Sequence, residues 1–304
     1  MSHIATLVCA PDRPALTEDV LARACSALTH PSPPVRLAPG IAADFAFELA
    51  APDSTRTVAE RLRAALEGAP ADIIVQPGQM RRKKLLLADM DSTMIGEECI
   101  DELAGKIGKR AEVAAITERA MRGELAFEPA LRERVALLKG MHRAIISDVL
   151  ASRISLTRGG LALVQTMQKN GAYTVLVSGG FSVFTCAVAK KLGFDAHQAN
   201  ELLFDGEGRA TGLVLEPILG ARAKLAALLK YRDKLALHAG ETLAIGDGAN
   251  DLPMLEAAGL GVAFHAKPKV AAAAHARIGH GDLTALLYAQ GYRREDFVAI
   301  DPSS

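Results

Sequence analysis

An apolar run, Lys84-Leu85-Leu86-Leu87-Ala88, stops at Asp89-Met90-Asp91-Ser92-Thr93, which places two carboxylates two residues apart at the end of an apparent buried strand. Parallel strands covered on both faces read as continuous apolar runs, and open α/β sheets hold their ligands just beyond the carboxyl ends of the strands. Two ionised carboxylates at the edge of a core repel each other and lose hydration, so the pair needs a cation or a charged substrate. A divalent metal is the natural partner. Taken alone, Asp91, Ser92 and Thr93 are equally compatible with an Asx turn or a helix cap.

Two more strand ends carry similar chemistry. Val175-Leu176-Val177 runs into Ser178-Gly179-Gly180, a hydroxyl followed by permissive backbone amides that could cradle a phosphate. Ala244-Ile245 runs into Gly246-Asp247-Gly248-Ala249-Asn250-Asp251, and Lys224 begins an amphipathic helix between the two. Each string is common by itself: Ser-Gly-Gly and Gly-Asp-Gly are ordinary turns, and a lone helical lysine is usually a solvated charge. Their ordered conjunction, each at the end of an apolar strand, is what points to a phosphate site.

These residues need a scaffold, and from Leu85 onward the chain alternates strand and helix patterns. Strands are expected at 85–88, 173–177, 242–245 and 261–264, giving an α/β fold, a Rossmann-like parallel sheet with helices on both faces. Residues 96–160 form an insertion in which Leu131, Val135 and Leu138 recur at helical spacing, as expected of a helical cap over the strand ends. Residues 202–204 and 213–215 flank Asp205-Gly206-Glu207-Gly208 and read as a hairpin appended to the sheet. Residues 1–80 read β-α-β-β-α-β, the order of a ferredoxin-like α+β domain, with the catalytic unit at 81–304. Such domains often pair through their sheets, which leaves a homodimer open.

With 304 residues, half of them hydrophobic, the chain has ample material for a core. Lys plus Arg equal Asp plus Glu at 35 each, and the basic residues are dispersed except for Arg81-Arg82-Lys83-Lys84, so no electrostatic footprint for nucleic acid exists. That short cluster follows Pro77-Gly78 and reads as a solvated linker between the two units. Cys9, Cys25, Cys99 and Cys186 lie in separate segments, the eight histidines stand apart, and no apolar stretch reaches membrane-spanning length. A cytoplasmic protein without disulfides, zinc or membrane partner is expected.

The four segments resemble the ordered motifs of the haloacid dehalogenase superfamily: Asp89-Met90-Asp91-Ser92-Thr93, Ser178, Lys224, and Gly246-Asp247-Gly248-Ala249-Asn250-Asp251. The resemblance implies a Mg²⁺-dependent phosphotransferase in which Asp89 attacks phosphorus and Asp91 serves as general acid and base. It further implies metal ligation by the Asp89 carboxylate, the Asp91 carbonyl and Asp247. Asp251 and Asn250 would position the metal and Lys224. Ser178, the Gly179 amide and Lys224 would hold phosphate oxygens.

More closely, residues 84–270 resemble the phosphoserine phosphatase family, through Glu97-Glu98-Cys99-Ile100-Asp101-Glu102, Met121-Arg122-Gly123-Glu124-Leu125-Ala126-Phe127 and Leu131-Arg132-Glu133-Arg134-Val135. This implies O-phospho-L-serine as substrate, with Arg134 on its carboxylate, Glu98 on its ammonium, and Met121 and Phe127 closing over it. Ala130 stands where relatives often carry Ser. Pro11-Asp12-Arg13-Pro14 resembles the strand-to-helix loop of ACT regulatory domains, with Ala15 where that family commonly has Gly.

Overall fold

The computed structural model describes residues 2–122 and 124–298, and the side chain of Met121 also falls outside the described set. The N-terminal unit comprises β1 (Ser2–Cys9), α1 (Glu18–Ser26), β2 (Val35–Ala38), β3 (Ala42–Glu48), α2 (Thr55–Ala65) and β4 (Ala71–Pro77). Its sheet is antiparallel in the order β2-β3-β1-β4, the ferredoxin-like arrangement that the element order predicts. Strand alternation gives it two apolar faces. Leu7, Phe45 and Ile73 pack beneath Val20 of α1 and Leu62 of α2, whereas Val8, Leu37 and Ile74 join the main core of the chain.

The larger sheet is parallel throughout, formed by β5 (Leu85–Ala88), β6 (Tyr173–Phe181), β7 (Ala196–Asn200), β10 (Thr242–Gly246), β11 (Leu260–Phe264) and β12 (Ala276–Ile278). Its order is β12-β11-β10-β5-β6-β7. Strand β5 lies at its centre, and all four of its side chains are sealed from solvent, which explains the unbroken apolar run. Helices α7 (Gly160–Lys169), α8 (Ser182–Leu192), α9 (Ala221–Lys234), α10 (Leu252–Ala257), α11 (Pro268–Ala273) and α12 (Ala285–Ala289) complete this part of the chain. Among the described residues no helix is long and apolar enough to cross a membrane.

Four helices, α3 (Cys99–Lys106), α4 (Arg110–Met121), α5 (Phe127–Ala136) and α6 (Ala144–Ser152), occupy the insertion between β5 and β6. The chain leaves and rejoins the core through two segments lying side by side. Thr157 N donates to Met94 O at 3.0 Å, Gly96 N donates to Ser155 O at 3.1 Å, and Ile95 bridges Leu156. Both Glu97 carboxylate oxygens accept from Ser155 across this root.

Three expectations differ from the structure. The hairpin, β8 (Leu202–Phe204) with β9 (Ala210–Val214), is a separate two-stranded sheet and does not extend the main one. It leans on the insertion: Arg132 of α5 pairs with Glu216 at 2.8 Å, and Gly140 N donates to Ala210 O. Strand β7 has a partly polar sequence at the sheet edge, and β12 is only three residues long, so neither carries a strand pattern. The basic segment is also a solvated linker only in part. Arg81 donates to Asp44 Oδ1 at 2.6 Å, to Thr6 Oγ1 at 2.9 Å and to the carbonyls of Tyr288 and Ala289. Lys83 is buried, with Nζ donating to the Met80 and Gly240 carbonyls, and burial, aided by Arg81, lowers its pKa to about 8. Arg82 lies 3.9 Å over the Tyr292 ring. Two of these charges, Arg81 and Lys83, have become interior bonds between distant parts of the chain, whereas Arg82 and Lys84 stay exposed.

Candidate active site

Strands β5, β6 and β10 are neighbours in register, so the loops that follow them converge at one edge of the sheet. Asp89 follows β5 directly and its backbone N–H donates to Ile245 O of β10 at 3.0 Å, which fixes where its side chain starts. Lys224, in the first turn of α9, reaches beneath it. Its Nζ stands 2.6 Å from Asp89 Oδ1 and 2.7 Å from Asp251 Oδ1, and all three side chains are buried. The other oxygen of Asp251 accepts from Gly248 N at 3.0 Å. One buried cation thus orients two carboxylates that would otherwise repel.

The electrostatics follow from this crowding. Burial, then the charge of Asp251, raises the pKa of Asp89, while Lys224 opposes the shift. Burial would lower the Lys224 pKa, but Asp251 and Asp89 outweigh it and hold the ammonium charged. Asp247, with Oδ1 accepting from Thr93 Oγ1 at 3.2 Å, is pushed up to about 6 by lost hydration and by Asp251. Carboxylate oxygens of Asp89, Asp247 and Asp251 lie within 4.8 Å of one another. Such an all-oxygen set suits a hard divalent ion such as Mg²⁺, which prefers carboxylate, carbonyl and water ligands.

Asp91 faces the other way, toward the insertion. Its Oδ1 accepts from Cys99 N at 2.9 Å, and its Oδ2 accepts from Ser178 Oγ at 3.0 Å. Ser92, which adopts a left-handed backbone with φ 54°, donates through Oγ to Glu98 Oε1 at 2.7 Å. Glu98 keeps a solvent-facing side, yet the site crowds around it: lost hydration and the Asp91 charge push its carboxyl up to about 7. Arg134 is half-buried, bonded through Nε to Ala130 O at 3.3 Å, and feels the charges of Asp101, Glu98 and Asp91. Phe127 is half-buried at the base of the insertion, where a Cβ placed on Gly179 would come within 2.9 Å of its ring. A Cβ on Gly220 would meet the same ring at 3.0 Å, so both glycines permit the aromatic to close on the strand ends.

Asp89, Asp91, Ser178, Gly179, Lys224, Asp247, Asn250 and Asp251 therefore converge at one edge, with Glu98, Phe127 and Arg134 on the side of the insertion. Asn250 lies beside Gly179, its amide nitrogen 3.8 Å from where a Gly179 Cβ would stand. Met121 ends α4, and its side chain lies outside the described residues. Two further buried groups support the site without a role assigned to them from the motifs: Thr93, which donates to Asp247, and Asn200, whose amide binds the Gly179 loop. Thr93 sits within the Asp-rich string and was legible as part of it, whereas Ala-Asn-Glu around Asn200 offers no local signal.

The profile of haloacid dehalogenase-like hydrolases matches residues 86–256, which span the three strand-end segments and Lys224 of α9. The chain belongs to this family. Among its hydrolase relatives, a phosphoserine phosphatase of Polaromonas sp. is 44% identical over 209 residues, 67% of this chain and 88% of the relative. A phosphoserine phosphatase of Streptomyces coelicolor is 40% identical over 263 residues, 86% of this chain, and the hydrolase spans only 63% of that relative's length. The crystal structure of a probable phosphoserine phosphatase from Vibrio cholerae, unliganded, superimposes with a TM-score of 0.77 at 31% identity, covering 95% of this hydrolase and 86% of that chain. That coverage takes in most of the N-terminal unit as well as the catalytic sheet.

Proposed function

We propose that the chain hydrolyses O-phospho-L-serine to L-serine and phosphate in the cytoplasm, as the closing step of serine synthesis, using Mg²⁺. The observation that carries this reading is the opposed orientation of the two acids: Asp89 is held by Lys224, and Asp91 is turned toward the insertion by Ser178 and Cys99. A pair so divided suits one carboxylate acting on phosphorus and the other on protons. The phosphoserine phosphatases named above support the substrate, and four unpaired cysteines fit a reducing compartment. In this reading residues 1–80 form a regulatory or dimerising unit and residues 81–304 the phosphatase.

Asp89 attacks the phosphorus, a bond forms from its oxygen, and the bond from phosphorus to the seryl oxygen breaks. Asp91 gives its proton to the departing oxygen, then removes one from water, which attacks the aspartyl-phosphate and frees Asp89. Lys224, the Ser178 hydroxyl and the Gly179 amide neutralise the equatorial oxygens as charge redistributes. Bound by Asp89, Asp247 and the Asp91 carbonyl, with Asp251 and Asn250 in support, Mg²⁺ would shield the approach of an anionic nucleophile to an anionic phosphate. Glu98 meets the substrate ammonium, Arg134 its carboxylate, and Met121 and Phe127 exclude water.

The test is phosphate release from L-phosphoserine with and without Mg²⁺, beside phosphothreonine, a sugar phosphate and an Asp89→Asn variant. Selective, metal-dependent turnover that the variant lacks supports the reading. Equal turnover of all three esters would sink the roles given to Glu98 and Arg134.

A further inference from the structure

Asn200 closes β7, is 2% exposed, and hydrogen-bonds to Gly179 and Leu219, in the two segments that flank the phosphate position. Its Oδ1 accepts from Leu219 N at 2.7 Å, which fixes the amide orientation. Nδ2 then spends its two hydrogens on Gly179 O at 2.8 Å and Leu219 O at 3.1 Å. All the hydrogen-bonding capacity that orients this amide is directed at two loops.

Each loop leads to a functional group. The peptide between Gly179 and Gly180 is gripped at both ends, because Gly180 N donates to Ser178 Oγ at 2.8 Å while Asn200 holds the carbonyl. Ser178 Oγ, already an acceptor, turns its own hydrogen onto Asp91 Oδ2. A chain of bonds thus runs from β7 to Asp91. On the other side, Leu219 precedes Gly220, whose carbonyl accepts from Ala223 N and Lys224 N and starts α9.

We propose that Asn200 is a positioning residue that sets the span between the Ser178–Gly179 donors and Lys224, and so fits the two sides of the phosphate cradle to the transition state. The proposal rests on the phosphomonoester reading of this site, without requiring that the alcohol be serine. An error of about 1 Å in such a span costs as much as about a hundredfold in rate.

The test compares wild type with Asn200→Ala and the isosteric Asn200→Asp, which keeps the acceptor for Leu219 N and removes both donors. Turnover of p-nitrophenyl phosphate and of L-phosphoserine, inhibition by inorganic phosphate, Mg²⁺ affinity by calorimetry, and thermal melting are measured on each. The expected result is a fall in kcat of about 10- to 100-fold on the aryl ester and about tenfold weaker phosphate inhibition. Mg²⁺ affinity should stay within about twofold and melting should remain cooperative, since the acids keep Lys224. Unchanged kcat and phosphate inhibition, parallel loss of Mg²⁺ affinity, or failure of both variants to fold would each overturn the proposal. A wild type that cleaves the aryl ester and ignores phosphoserine would remove the serine assignment alone and leave the Asn200 comparison intact.

Discussion

Lys224 and Asp89 meet at 2.6 Å with both side chains buried, so the carboxylate that directly follows β5 is held by a cation from the first turn of α9, far along the chain. Removing one partner of a buried ion pair strands the other, at a cost of about 3–5 kcal/mol. Lys224→Met leaves Asp89 and Asp251 facing each other. Urea unfolding should show a loss of that size, and activity should fall by about a hundred- to a thousandfold, as for loss of a preorganised charge-stabilising group. Mg²⁺ should restore part of the stability by binding the folded state alone. A variant of wild-type stability would mean that the ammonium does not compensate these acids.

Metal affinity should be pH-dependent, with a sign set by Asp247. Its carboxyl is raised from 3.8 to about 6 in the metal-free protein, by burial first and Asp251 second, so below about pH 6 a proton competes with the metal. Calorimetric titration at pH 5, 6 and 7.5 should show Mg²⁺ binding weakening up to about tenfold per unit below 6, and levelling above it. Without metal, the folded state binds more protons than the unfolded state between those two values. This group's contribution to stability therefore falls as pH rises from about 4 to about 6. Asp247→Asn should abolish that part of the slope.

Gly179→Ala should act through Phe127. The added methyl comes within 2.9 Å of the Phe127 ring, closer than carbon atoms pack, so the ring must move. A displacement of this kind should lower kcat/KM by about 10- to 100-fold. In a Phe127→Ala background the same substitution should cost less than about threefold, because neighbouring sites are not additive. Independent, multiplicative losses would show that the two residues do not meet on the reaction path.

Asp72 of β4 accepts from three consecutive backbone amides of the catalytic part: Gly279 at 2.7 Å, His280 at 3.2 Å and Gly281 at 2.7 Å. Asp72→Ala leaves these donors without the carboxylate, and charge-assisted bonds to buried amides contribute about 1.5–3 kcal/mol each before compensation by water. A urea midpoint corresponding to a loss of about 3 kcal/mol is expected, with kcat within about twofold of wild type. An unchanged midpoint would show that the two units are joined elsewhere.

The sequence makes the catalytic edge legible because its elements announce themselves locally. The Leu85–Ala88 run is buried on both faces, and each of the three charged or hydroxyl segments directly follows or closely accompanies an apolar element. The N-terminal order is equally readable, since alternation and helical spacing separate its six elements. Partnerships between distant residues leave no such trace. Arg81 looks like a solvated charge until Asp44 and the Ala289 carbonyl are brought to it. Asn200 looks like a polar residue in a loop until Gly179 and Leu219 converge on it. The hairpin reads correctly as two strands, but which body it leans on depends on Arg132 and Glu216, 84 positions apart.

The paired segments at Met94–Thr157 and Gly96–Ser155 give the insertion a single root. The polypeptide detours through four helices and returns almost to where it left, while the backbone bonds among β5, β6 and β10 set the register of the central strands. On the reading proposed above, chemistry and selectivity would fall to two parts of the chain joined at that one root. On that reading, changes in helices α3 to α6 would alter which alcohol is admitted while Asp89 and Asp251 keep their hold on Lys224, and the protein could acquire a new clientele without relearning its reaction.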